Sequence, residues 1–238
     1  MNRSTVVLVH GAFADATSTW NTIAGVLIQR GHPVVAVANP LRGLHHDAEY
    51  LRAVLATIPG PITLVGHSYG GAVITEAATG VDQVSALVYI AAFAPDEGES
   101  AGQLDEKFGG RAQQISQARP LPGPAPLHGP PHIELSIVAA HYRDAFAPDT
   151  DPETAAVLAA TQRPLALAAM LEPAGPPAWK TLPSYFAIST RDQMIPTDGQ
   201  RNMAERMDAI TIDLDAGHAS PLSHPHPIAD LISTASAA

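Results

Sequence analysis

A chain of 238 residues, 46% apolar and 15% charged, is long enough for one sizeable domain and too apolar to remain unfolded. Its formal charge of −10 argues against nucleic acid or an anionic membrane as partner, and the lack of cysteine excludes disulfides, thiolate metal sites and a cysteine nucleophile. No apolar run approaches the ~18 residues of a membrane span, and the stretch before Val6 is too short for a secretory leader, so a soluble, cytoplasmic protein is expected.

Thr5–Val9 runs into His10-Gly11 as a strand buried on both faces of a parallel sheet would. Asp15 to Arg30 reads as a helix, with Trp20, Ile23 and Leu27 on one face and Gly31 as its stop. His32–Ala38 is a second strand, and Ala48, Leu51, Leu55 and Ile58 mark a helix face that ends at Pro59-Gly60-Pro61. The run Ile62–Val65 then enters Gly66-His67-Ser68-Tyr69-Gly70, and helix-forming residues follow up to Gly80. Gly-x-Ser-x-Gly between a strand and a helix is the nucleophile-elbow pattern, in which small neighbours let a strained serine stand clear of the sheet. Val84–Phe93 completes a β-α-β-α-β-α-β order, which specifies a mainly parallel sheet of about six strands with helices on both faces.

After Ala94-Pro95-Asp96 the pattern breaks. Residues 97–118 are polar and carry glycines, and Arg119–His132 holds six prolines in fourteen residues, which points to extended or polyproline-like chain. His132–Ala139 reads as a short strand, and Asp151–Gln162 and Leu165–Leu171 as helices. Residues 95–180 are thus expected to be a cap inserted into a core made of 1–94 and 181–238. The core resumes at the strand Leu182–Ser189. Thr197 to Gln200 fits a capping box opening a helix with Met203 and Met207 on one face. Ile210–Leu214 is the last strand, and a closing helix spans about Pro227 to Ile232.

Functional groups in such sheets collect beyond the C-terminal strand ends, where His10-Gly11-Ala12, Ser68, Asp192 and His218 all fall. A serine needs a base to become nucleophilic, a histidine suits that role, and a carboxylate must orient the histidine. Asp96 also follows a strand end and competes with Asp192; Asp198 fits a first helical turn, and Asp213 and Asp215 lie in or at the end of the last strand. His224 and His226, flanked by prolines, suit the start of the closing helix and lack partners at metal-ligand spacing. His45-His46 reads as a solvated helix start, and His10 and His67 as local hydrogen-bonding groups. The backbone N–H groups of Ala12 and Tyr69 are placed to form an oxyanion hole.

Leu8-Val9-His10-Gly11-Ala12 with Trp20, Gly66 to Gly71, Ser189 to Pro196 and Gly217-His218 together resemble the α/β-hydrolase superfamily over essentially the whole chain. The similarity is greatest to small cap-bearing esterases that group with plant methylesterases and hydroxynitrile lyases. The resemblance implies the α/β-hydrolase fold, Ser68, Asp192 and His218 as a catalytic triad, and Ala12 and Tyr69 as the oxyanion hole; the chemistry expected of these residues uses no cofactor or metal. It favours Asp192 over Asp96. The similar lyases carry Thr in place of Gly11 and Lys in place of Ala219. Those departures point to a serine hydrolase cleaving a carboxylic ester and away from a lyase, and the Ala-, Leu- and Pro-rich cap suggests a small, neutral substrate. A lactonase or perhydrolase with the same residues, a lyase and a non-catalytic small-molecule receptor are the alternatives. A homodimer is left open.

Overall fold

The computed structural model describes residues 3–123 and 131–237. Six parallel strands form the central sheet: β1 (Thr5–Val9), β2 (Val34–Val37), β3 (Ile62–His67), β4 (Val84–Ile90), β8 (Ser184–Ser189) and β9 (Ile210–Leu214), in the order β2-β1-β3-β4-β8-β9. The order reverses between β1 and β3, which opens a crevice beyond their C-terminal ends.

Side-chain alternation divides the core in two. Val6, Leu8, Val65, Val88, Ile90 and Tyr185 face α1 (Ala16–Gln29) and the last helix, α11 (Pro225–Ala235). Val7, Val9, Leu64, Leu87, Tyr89 and Phe186 face the opposite way, towards α2 (Leu44–Leu55), α3 (Tyr69–Ala77) and α9 (Thr197–Arg206). With both faces covered, these strands read as unbroken apolar runs.

Between β4 and β8 the chain forms α4 (Ala101–Phe108), α5 (Ala112–Ile115), β5 (Ser116–Pro120), β6 (Ile133–Ile137), α6 (Ala139–His141), a π-helical turn (Tyr142–Phe146), α7 (Pro152–Thr161), β7 (Leu165–Ala166) and α8 (Leu167–Leu171). β5, β6 and β7 pair antiparallel in that order. Leu104, Ile115, Tyr142, Phe146, Leu165 and Met170 join the same apolar cluster as α2 and α3, so this segment shares the core of the sheet. Among the described residues, no helix is long and apolar enough to cross a membrane.

Several local expectations need correction. Residues 97–118 are more regular than their polarity suggests, because Ser100 and Gln103 form a reciprocal capping box that starts α4. Thr197 and Gln200 make no such box: Pro196 is the N-cap, and the Gln200 side chain turns inward. Leu165-Ala166 pairs with β6 before the helix starts at Leu167. Arg119 and Pro120 are paired strand, while residues 124–130 of the proline-rich stretch lie outside the described residues. The closing helix starts at Pro225 and continues to Ala235, longer at both ends than its apolar residues indicate. A short α10 (Ser220–Ser223) precedes it.

The β3–α3 junction admits no extra atoms. A Cβ on Gly66 would lie 2.6 Å from the Gly70 carbonyl oxygen, and one on Gly70 would overlap the Val9 carbonyl oxygen. Gly25, within α1, has open space around it. Gly70→Ala should therefore cost at least ~2 kcal/mol in urea unfolding, whereas Gly25→Ala should stabilise by about 0.5–1 kcal/mol through helix propensity.

Candidate active site

Ser68 follows β3 directly, at φ 55°, ψ −125°, outside the regions favoured by residues with a side chain. Backbone bonds hold it there: its N–H donates to the Ile90 carbonyl at 3.2 Å, and its carbonyl accepts from Gly71 at 3.0 Å and Phe93 at 3.1 Å. The bend projects the hydroxyl towards His218, which follows β9. Ser68 Oγ and His218 Nε2 are 2.9 Å apart, and His218 Nδ1 and Asp192 Oδ2 are 2.8 Å apart. A carboxylate can only accept, so Nδ1 carries the hydrogen and Nε2 is left to accept from the serine hydroxyl.

Asp192 lies in the turn after β8. Its Oδ1 accepts from the Met194 and Ile195 N–H groups at 2.7 and 3.0 Å, and Gln200 Nε2 donates to Oδ2 at 2.9 Å. The Gln200 side chain also accepts from the Ser189 N–H and donates to the Ser189 and Ile195 carbonyls, so one buried amide ties β8, the turn and α9 together. The competing Asp96 lies elsewhere, half-exposed and paired with Lys180. Asp198 is in the first turn of α9, and Asp213 and Asp215 pair with Arg201 and Arg191 at the surface.

His218 is fixed from three directions. His67 Nε2–H donates to its carbonyl at 2.9 Å, Ala219 N–H donates to the Phe146 carbonyl at 2.9 Å, and Gly217 N–H donates to Asp149 Oδ2 at 2.6 Å. The Phe146 ring stands edge-on to the imidazole, with centroids 4.9 Å apart. Burial, reinforced by the nearby His218, pushes His67 down to about 3, so the ring is neutral near pH 7. Burial also lowers His10 to about 4; its Nδ1–H donates to the Gly11 carbonyl and its Nε2 accepts from Asn39 N–H. Both histidines serve as neutral local hydrogen-bonding groups. His45 and His46 are exposed on α2, where His45 Nδ1 meets Glu76 at 2.7 Å. His224 bonds to Ser223 at the start of α11 and His226 is exposed.

Ala12, Ser68, Tyr69 and His218 line a common cavity with Phe13, Phe93, Ala112, Met170, Met194, Ile195 and Asp105. Among the described residues, neither the Ala12 nor the Tyr69 N–H has a hydrogen-bond acceptor, and Tyr69 is the first residue of α3, where the helix leaves donors free. Gly11 is pressed against Ser68: a Cβ there would lie 2.6 Å from the serine Cβ and 3.1 Å from its Oγ. Among the described residues, no group of His, Cys, Asp and Glu comes together that could hold a metal ion.

Three contributors to this site are revealed by no local motif: Gln200, the His67 contact to the His218 carbonyl, and Asp105. Gln200 lies in a pattern that assigns it a different partner, and His67 lies within the elbow motif, which does not reveal its bond to the distant His218 carbonyl. Asp105 is a buried carboxylate on α4 whose burial, partly offset by His218, raises it from 3.8 to about 6.

Residues 6–231 match the Alpha/beta hydrolase family, and the chain belongs to it. It is similar to a carbendazim-hydrolysing esterase from Nocardioides sp. (strain SG-4G), 36% identical over 107 residues that span 40% of this chain and 44% of the esterase. It is also similar to Methylesterase 2 of Arabidopsis thaliana, 24% identical over 241 positions covering 91% and 89% of the two chains. A pyrethroid hydrolase from Sphingobium faniae JZ-2 shares the fold with a TM-score of 0.80 at 20% identity, over 99% of this chain and 98% of that one.

The elevated Asp105 carboxyl has a definite consequence for stability. A folded-state value above the unfolded one favours the fold below about pH 4, and that contribution is lost as pH rises through about 6. Asp105→Asn should therefore melt higher than the unsubstituted protein at pH 8, and the difference should shrink towards zero near pH 4.

Proposed function

We propose that the protein hydrolyses small, neutral carboxylic esters through an acyl-enzyme on Ser68, without a cofactor. The observation that carries this reading is the unbroken hydrogen-bonded series Asp192–His218–Ser68 beside two backbone amides that have no acceptor among the described residues. His218 Nε2 accepts the Ser68 proton as Oγ attacks the ester carbonyl, and Asp192 stabilises the resulting imidazolium. The Ala12 and Tyr69 N–H groups take the charge that develops on the carbonyl oxygen. His218 then protonates the departing alcohol, and the same ring activates the water that cleaves the acyl-enzyme. The esterases among the relatives support the reaction class.

In this proposal residues 95–180 act as the cap. The cavity over Ser68 measures about 20 Å³, room for about one water molecule. An ester must displace cap residues such as Ala112 or Met170 to reach the serine. A hydroxynitrile-lyase reading is opposed by Gly11, where a side chain would meet Ser68, and by Ala219 where the similar lyases carry Lys.

Because the three residues act as a unit, Ser68→Ala should lower kcat for p-nitrophenyl acetate by on the order of 10⁵–10⁶. Wild-type turnover by purified Ser68→Ala would sink the mechanism. Asp192→Asn should lower kcat by on the order of 10⁴, while Asp96→Asn should leave it unchanged. Equal losses in the two aspartate variants would remove Asp192 from its role.

A further inference from the structure

Asp105 is 3% exposed and borders the same cavity as Ser68 and His218, in a lining that is otherwise almost wholly apolar. Its Oδ1 is enclosed and has no hydrogen-bond partner among the described residues. Gly110 closes off one side: its N–H donates to the Asp105 backbone carbonyl at 2.8 Å, and a Cβ on Gly110 would overlap Oδ1. Among the described residues, no lysine or arginine pairs with the carboxyl. Leaving such a group unpaired is costly, and most buried carboxylates are paired or hydrogen-bonded. Asp192, by contrast, has donors on both oxygens. The two buried aspartates near His218 thus differ in kind: one has protein donors on both oxygens, whereas the other borders the cavity and, among the described residues, has none.

We propose that Asp105 is a specificity-determining residue whose carboxylate accepts a hydrogen bond from a hydroxyl or ammonium group carried by the substrate. This rests on the ester-hydrolase reading: a hydroxyl donor narrows it to neutral esters that bring their own donor into the pocket, and an ammonium donor would extend it to cationic ones. A donor entering with the substrate would satisfy the carboxylate in place of water. A plain hydrocarbon ester would strip the carboxylate of water and give nothing back, so the site would discriminate against it. Burial raises the carboxyl to about 6, so it is largely ionised at pH 8, where its demand for a donor is greatest.

The test uses two isosteric ester pairs at pH 8. Isopentyl butyrate against dimethylaminoethyl butyrate probes an ammonium on the alcohol side, and methyl isovalerate against methyl β-hydroxybutyrate probes a hydroxyl on the acyl side. The wild-type protein should favour the donor-bearing member of at least one pair by ~10- to 100-fold in kcat/KM, the range of a hydrogen bond to a charged group. That preference should appear mainly in KM. Asp105→Asn and Asp105→Ala should each bring the ratio towards one by improving the hydrocarbon ester as well as weakening the donor ester. Equal wild-type rates within both pairs, or an unchanged ratio in both variants, would overturn the assignment while leaving the esterase reading intact. A uniform loss on all four esters would also overturn it, since that outcome assigns Asp105 to the support of His218. Calorimetry of the same esters on Ser68→Ala tests recognition without turnover. Tighter binding of a donor-bearing ester supports the assignment even if no ester is cleaved, and indistinguishable affinities overturn it.

Discussion

The backbone of Ser68 is the constraint on which the rest of the site depends. A residue with a Cβ held at φ 55°, ψ −125° costs on the order of 1–3 kcal/mol, and that conformation persists only where the surroundings permit no other. Here three hydrogen bonds and the absence of side chains at Gly11, Gly66, Gly70 and Gly71 hold it in place. β1, β3, α3 and the segment after β4 meet at this point, with main chain against main chain. The strain has two effects: it lifts the hydroxyl clear of the sheet, and it turns the first amides of α3 towards the same space.

Precision in the remaining groups comes from bonds made far along the chain. Asp192 is oriented by two amides of its own turn and by Gln200 on the next helix. His218 sits in a loop that would be loose by itself, but His67, Phe146 and Asp149 hold its backbone from different elements. Phe146 and Asp149 come from the segment between β4 and β8. Through them, the region above the sheet helps to position the histidine as well as to enclose the cavity.

Much of this was legible in the residues alone, for local reasons. The strand-turn-helix context of Gly-x-Ser-x-Gly, the apolar runs and the strand-end positions of Asp192 and His218 are short-range patterns. They lead to the sheet and to the residues that meet at the end of it. Gln200 reads as part of a helix cap because Thr-x-x-Gln looks the same whether the amide turns back to its own helix or inward to Asp192. α4 was hidden by its polarity, although Ser100 and Gln103 carry the same kind of pattern and do form the cap. Asp105 carries no motif: its enclosed setting arises from Gly110 and a largely apolar cavity brought together by folding. Buried polar groups with distant partners are what local patterns leave unread.

The central claim is that Ser68 is made nucleophilic by His218, and covalent capture tests it most directly. The protein would be treated with a fluorophosphonate and digested, and the adduct located by mass spectrometry in the unsubstituted chain and in His218→Ala. A single adduct on Ser68, formed at least about a hundredfold more slowly without His218, is expected if the histidine serves as general base. An adduct on another residue, or equal labelling rates in the two proteins, would contradict the account.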